Sequence, residues 1–220
     1  MVILMALCIF TKNTLSPFHM NYLILDLEVT GDDPGWHDIV ALSAVLCDQN
    51  WQAISDFSTL IYPSEDDGFK LVAERNPRID LTELKDAPLP FDALEKFENW
   101  IMKSLGYRPD PIEKEEHLSK VVLCGFRFMP TYSFLRIAYL EDNFNWNFST
   151  AMVDLYSILH YLSLEQPISK NGTSMENLKT VAAQLKVKVD TEKQFLLRKP
   201  ELVRSCFDAL DDHWSIGSKS

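Results

Sequence analysis

Asn21 to Val29 reads NYLILDLEV and runs straight into Thr30, Gly31 and the turn-rich GDDPG. A run dominated by Leu, Ile, Tyr and Val, closed by a glycine turn, has the length and composition of a β-strand. Side chains alternate across a strand, so Asp26 and Glu28 share one face while Leu25 and Leu27 point into the layer beneath. Two carboxylates held side by side in an apolar strand repel each other and raise each other's pKa unless a cation or protons compensate. The pair is therefore a candidate metal site; taken alone, the same pattern also fits a solvated strand end.

Outward from this strand the chain alternates apolar strands with amphipathic segments. Ile39 to Cys47 (IVALSAVLC) and Phe57 to Tyr62 (FSTLIY) read as two further strands, giving an antiparallel meander at the start of the domain. LTELK resembles a short helix. Phe91 to Leu105 places Leu94, Phe97, Trp100, Ile101 and Leu105 on one helical face that should pack on the sheet. Val121 to Gly125 (VVLCG) followed by a helix over Tyr132 to Leu140 makes a strand-then-helix crossover unit. Met152 to Leu162 begins as a short strand or turn and becomes a helix. Ser174 to Leu185 has helical periodicity, with Ser174 and Asn177 approximating a capping box, and a last helix is expected from Pro200. The periodicity supports an α/β domain.

The 220 residues carry 32 acids against 21 basic residues, a net charge of −11. Such a chain does not hold nucleic acid by broad attraction to phosphates; a local site would have to do so, and a bound divalent cation is one way to invert the potential of an acidic cleft. The stretch from Glu165 to Arg204 is the exception, with eight basic residues against five acids. Cys8, Cys47, Cys124 and Cys206 are too widely spread for a zinc pattern, and three lie inside apolar runs, which reads as buried thiols in a reducing compartment. The apolar start, MVILMALCIF, is too short to span a bilayer and lacks the basic opening of a signal peptide. We therefore expect a cytoplasmic protein with no membrane partner, in which residues 1–19 are an extension ahead of Met20. His37, His117 and His160 are isolated, no phosphate-binding glycine loop is present, and Trp100, Trp146 and Trp214 are expected in the core rather than as stacking platforms.

LILDLEVTG resembles the first motif of the DEDD superfamily of 3′ to 5′ exonucleases, which includes the proofreading subunit of replicative polymerases, ribonuclease T and oligoribonuclease. Asp26, Glu28, Thr30 and Gly31 match it. VVLCGFRFMPTYSFLRIAYL resembles the second motif, with Gly125, Phe134, Leu135 and Arg136 fitting; its metal-binding Asp falls on Thr131 and the preceding Phe on Pro130. FDALDDHW resembles the third, with Ala209 and Asp212 matching, its general-base His falling on Phe207 and its closing Ala on His213. The helix SMENLKTVAAQLKV is similar to the one that precedes that motif.

The resemblance spans roughly residues 21–214 and implies a ribonuclease H-like α/β fold, a mixed sheet with helices on both faces. It sets an exonuclease-like domain over 20–216 and a tail over 217–220. It further implies a hydrolase using magnesium or manganese held by Asp26, Glu28 and Asp212; in a helix from Pro200, Asp208 shares a face with Asp212 four residues on and is an alternative ligand. The partner would be single-stranded DNA or RNA with a free 3′ end, and a protein partner is also possible. Thr131 and Phe207 are degenerate positions. A neutral hydroxyl is a poor substitute for a carboxylate on magnesium, and losing a general base typically costs a factor of about 10² to 10⁴ in rate. Two readings follow: an exonuclease with an altered site, or an inactive exonuclease-fold module for nucleic-acid or protein binding.

Overall fold

The computed structural model describes residues 20–64, 67–165 and 177–217, with side chains through 162 and 211 in the helices that end at Glu165 and Gly217. The N-terminal extension, Cys8, Ser174 and the final tail residues lie outside the described residues.

β1 (Asn21–Val29) is the middle strand of a five-stranded sheet of order β3-β2-β1-β4-β5. β2 (Ile39–Cys47) and β3 (Ala53–Leu60) continue from it as an antiparallel meander, while β4 (Val121–Gly125) and β5 (Met152–Asp154) add in parallel on its other side. The helices are α1 (Gly68–Arg75), α2 (Leu81–Lys85), α3 (Pro90–Ser104), α4 (Pro111–Leu118), α5 (Met129–Glu141), α6 (Leu155–Glu165), α7 (Leu178–Gln184) and α8 (Arg198–Gly217). Their starts follow local chemistry. Proline occupies the first turn of α3, α4 and α5, where its missing N–H goes unused. Asp80, Asp110 and Asn177 cap α2, α4 and α7 through side-chain oxygens that accept backbone N–H bonds.

Alternation along β1 divides the core in two. Leu23, Leu25 and Leu27 face α3 and α5, where Phe97, Ile101, Leu135 and Tyr139 are buried. Each such leucine contributes about 1.5–3 kcal/mol by leaving water. The opposite face carries Ile24, joined by Val45, Val122 and Cys124, and is covered by Leu159 of α6, Val181 of α7 and Val203, Cys206 and Phe207 of α8. β2 is buried along its whole length because both faces are covered. Cys47, Cys124 and Cys206 are buried free thiols, as expected. Trp100 and Trp146 pack against the first core, Trp100 donating from Nε1 to Ser55 Oγ at 2.9 Å; the Trp214 side chain is outside the described residues.

Several boundaries differ from the sequence reading. β3 starts at Ala53 rather than Phe57, because it is an edge strand whose first residues are exposed and show no apolar alternation. α5 starts at Met129, with Pro130 in its first turn, and α8 starts at Arg198, two residues ahead of Pro200.

Candidate functional site

β1 and β4 are paired from Asn21/Val121 to Ile24/Cys124. Beyond that point the chains part, so Asp26 and Glu28 stand at the carboxyl edge of the parallel strands, the position where open α/β sheets form ligand crevices. Both carboxylates share the face that α8 covers. Asp26 is buried, at 6% exposure, and Glu28 is half-buried.

The group that meets them is a lysine. Lys199, in the first turn of α8, donates from Nζ to Asp26 Oδ1 at 2.5 Å. Burial pushes the Asp26 carboxyl above the ordinary carboxylate range, with the Lys199 charge and hydrogen bond pulling the other way. Glu28 is also raised, first by burial and then by the Asp26 charge, again with Lys199 opposing. Thr30 is buried and holds the loop that follows β1: its Oγ1 accepts from Asp38 N at 2.8 Å and its N–H donates to Asp38 O at 2.9 Å. Gly31 has no room for a side chain, since a Cβ there would lie 2.1 Å from the His37 ring.

The second region forms the neighbouring wall. A Cβ on Gly125 would lie 2.3 Å from the Phe128 ring, so glycine lets the chain turn from β4 into α5. Arg127 takes a left-handed conformation at φ 51°, and Phe128 N donates to Asp154 Oδ1 at 3.2 Å. Thr131 is half-buried in the first turn of α5, while Phe134 and Leu135 are core residues. Asp154, at the end of β5 and opposite Gly125, was not singled out in the sequence. Its Oδ2 accepts from both the backbone N–H and the hydroxyl of Ser157, so it caps α6 as well as anchoring the β4–α5 turn. The signal for it was the Asp-x-x-Ser spacing of a helix cap.

The third region lies along α8. From Lys199 at Asp26, α8 runs back along β1 toward its amino end, placing Cys206 and Phe207 in the second core. Phe207 stacks on Trp51 with centroids 4.2 Å apart, and Trp51 stacks on Tyr22, also at 4.2 Å. Asp208 accepts from Gln52 Nε2 at 3.3 Å, beside the β2–β3 turn. Asp211 is near enough to Tyr22 to help raise its phenol, after burial and Cys124. At a rise of 1.5 Å per residue, Asp212 stands about 20 Å along the helix axis from Lys199. The structure thus brings Asp26 and Glu28 together, sets Asp208 at the opposite end of β1, and carries the Asp212 backbone toward that end; the side chains of Asp212 and His213 are outside the described residues.

The donor set does not fit a pair of divalent ions. Magnesium and manganese take hard oxygen ligands, yet one oxygen of Asp26 is bound to an ammonium. Among the described residues no three His, Cys, Asp or Glu side chains are grouped to hold a metal. A separate cavity of about 150 Å³, lined by His37, Asp38, Leu94, Phe134, Ile137 and Glu141 among others, does not include the two carboxylates.

A mixed five-stranded sheet, begun by a meander and covered by helices on both faces, defines the ribonuclease H-like α/β fold. Among solved structures the chain is similar to product-bound exonuclease I, with a TM-score of 0.66 and 11% identity over 88% of this chain and 44% of that one. It is likewise similar to E. coli exonuclease I in complex with a 5cy-dT13 oligonucleotide, with a TM-score of 0.64 and 10% identity over 89% and 41%. The complex of the same enzyme with a dA16 oligonucleotide gives 0.65 and 10% over 88% and 41%. The chain therefore spans less than half the length of these structures, and at this identity the likeness establishes the fold. No protein-family model matches the sequence, and no curated protein matches it. Among the described residues no helix is long and apolar enough to cross a membrane.

Proposed function

We propose that this protein is an exonuclease-fold module that binds single-stranded nucleic acid without hydrolysing it. The observation that carries the reading is the Lys199 ammonium on Asp26. It supplies, from within the chain, the positive charge that the resemblance assigns to magnesium or manganese, and it holds an oxygen that a metal would need. A tethered cation compensates the buried carboxylate electrostatically. An ammonium has no pKa-lowering effect on a bound water comparable to that of a metal ion, so it generates no hydroxide for attack on a phosphodiester. Thr131 and Phe207 agree with this, the latter engaged in an aromatic stack about two helical turns from Lys199.

The oligonucleotides bound by structures of the same fold, and the crevice at the carboxyl edge of β1 and β4, support single-stranded nucleic acid as the ligand. Three buried thiols suit a reducing compartment such as the cytoplasm. The test is degradation of 3′-labelled single-stranded DNA and RNA in magnesium or manganese, beside Asp26→Ala, with strand binding followed in EDTA. We expect binding in EDTA and no degradation that distinguishes wild type from Asp26→Ala. Degradation abolished by Asp26→Ala restores the reading of a working exonuclease with an altered site. Failure to bind DNA or RNA moves the function to a protein partner.

A further inference from the structure

A cluster of aromatic and cationic side chains follows the end of β4, beside the turn that Asp154 anchors. Phe126 follows β4 on the face shared with Asp26 and packs against the second core. Its ring meets that of Tyr156, in the first turn of α6, edge-on at 5.8 Å. Arg127 is exposed and lays its guanidinium over the same Tyr156 ring, with Cζ 5.4 Å from the centroid. One turn further along α6, the exposed His160 lies nearly parallel to Tyr156, with centroids 6.4 Å apart. Asp154 lies beneath this group with its oxygens taken up by Phe128 N and Ser157.

The placement is unusual for a surface arginine. Left-handed φ is disfavoured for residues other than glycine, asparagine and aspartate, and such conformations gather at ligand-binding positions. Here Arg127 has φ 51° and its guanidinium lies over the Tyr156 ring. In the β1–β4 register, which ends at Ile24/Cys124, Phe126 and Asp26 each lie two residues beyond the last pair and on the same face of the sheet.

We infer that Arg127 and Tyr156, supported by Phe126 and His160, form a stacking platform for an unpaired base of a strand lying along this crevice. This deepens the proposed function and rests on it. Every base has a π-face, so an aromatic ring with a guanidinium laid over it takes bases with little sequence preference, and the guanidinium adds cation–π attraction and a phosphate partner. A local cationic and aromatic site of this kind also explains how a chain of net charge −11 can hold a polyanion.

The test is fluorescence anisotropy with labelled oligo(dT) in EDTA, repeated with a strand of abasic residues of the same length. Tyr156→Ala is expected to weaken oligo(dT) binding about 5- to 150-fold, the range of one lost stacking contact, and to leave abasic-strand binding unchanged; Tyr156→Phe should bind as wild type does. Arg127→Asn removes the guanidinium while suiting the left-handed backbone, so it should weaken binding with no fall in melting temperature, separating a lost contact from a damaged fold. If wild type binds oligo(dT) and Tyr156→Ala and Arg127→Asn bind equally well, the platform is refuted and the proposed function stands. If wild type binds neither strand, both fall together.

Discussion

Replacing Lys199 with methionine keeps the aliphatic stem and deletes only the charge that faces Asp26. Removing one partner of a fully buried ion pair costs about 3–5 kcal/mol. The Lys199 side chain is 51% exposed, however, and solvent screens its charge, which moves the figure toward the about 0–1 kcal/mol of surface pairs. A loss of about 1–2 kcal/mol near neutral pH follows, which for a chain of this size is a fall in Tm of about 2–8 °C. The pH dependence is the sharper test. The folded-state pKa of Asp26 is raised, so the folded chain keeps this proton to higher pH than the unfolded chain does, and the stability it contributes is lost as pH rises through the folded value. Removing Lys199 raises that value further. Wild type and variant should therefore converge in acid, where Asp26 is neutral in both, and diverge toward neutrality. Urea denaturation at both pH values reads this directly, and Asp26→Asn in the Lys199→Met background should recover most of the neutral-pH loss. An equal loss in acid and at neutrality, or no recovery with Asp26→Asn, refutes the pairing as the source of the effect.

Phe207→His, which restores the residue type expected of a general base, should produce no nuclease activity and a less stable fold, because position 207 lies in the Trp51–Tyr22 stack and not at Asp26; Phe207→Ala should cost about 3–5 kcal/mol in denaturant titration. Gly125→Ala drives a Cβ into the Phe128 ring and should destabilise by about 1–3 kcal/mol, measured the same way. The thiols of Cys47 and Cys206 are pushed up to about 12 by burial, so both should react with a thiol reagent at mildly alkaline pH far more slowly in the folded protein than in urea.

The strands β1, β2 and β4 were legible because each is an apolar run ended by a turn signal, and burial on both faces writes a continuous pattern. β3 was read short because an edge strand answers to no such pattern on its exposed residues. The carboxylate pair was legible from period two alone. Its partner was not: Lys199 is one of eight basic residues between Glu165 and Arg204, and nothing local distinguishes it. The geometry of the third region was not legible, for a related reason. Helical spacing shows which residues of α8 share a face, but not which end of that face meets the carboxyl edge of β1. The direction of α8 across the sheet decides this, putting Lys199 at the carboxylates and Asp208 by Gln52. Asp154 escaped notice because a cap and a ligand are the same residue type, told apart only by what the oxygens accept.

Lys199 is proposed to occupy the place of a metal ion. Calorimetric titration of the wild-type protein with manganese tests it most directly, beside Lys199→Met and Asp26→Ala. Wild type should show no manganese binding that Asp26→Ala removes. Binding by wild type in a defined stoichiometry, lost in Asp26→Ala, would contradict it.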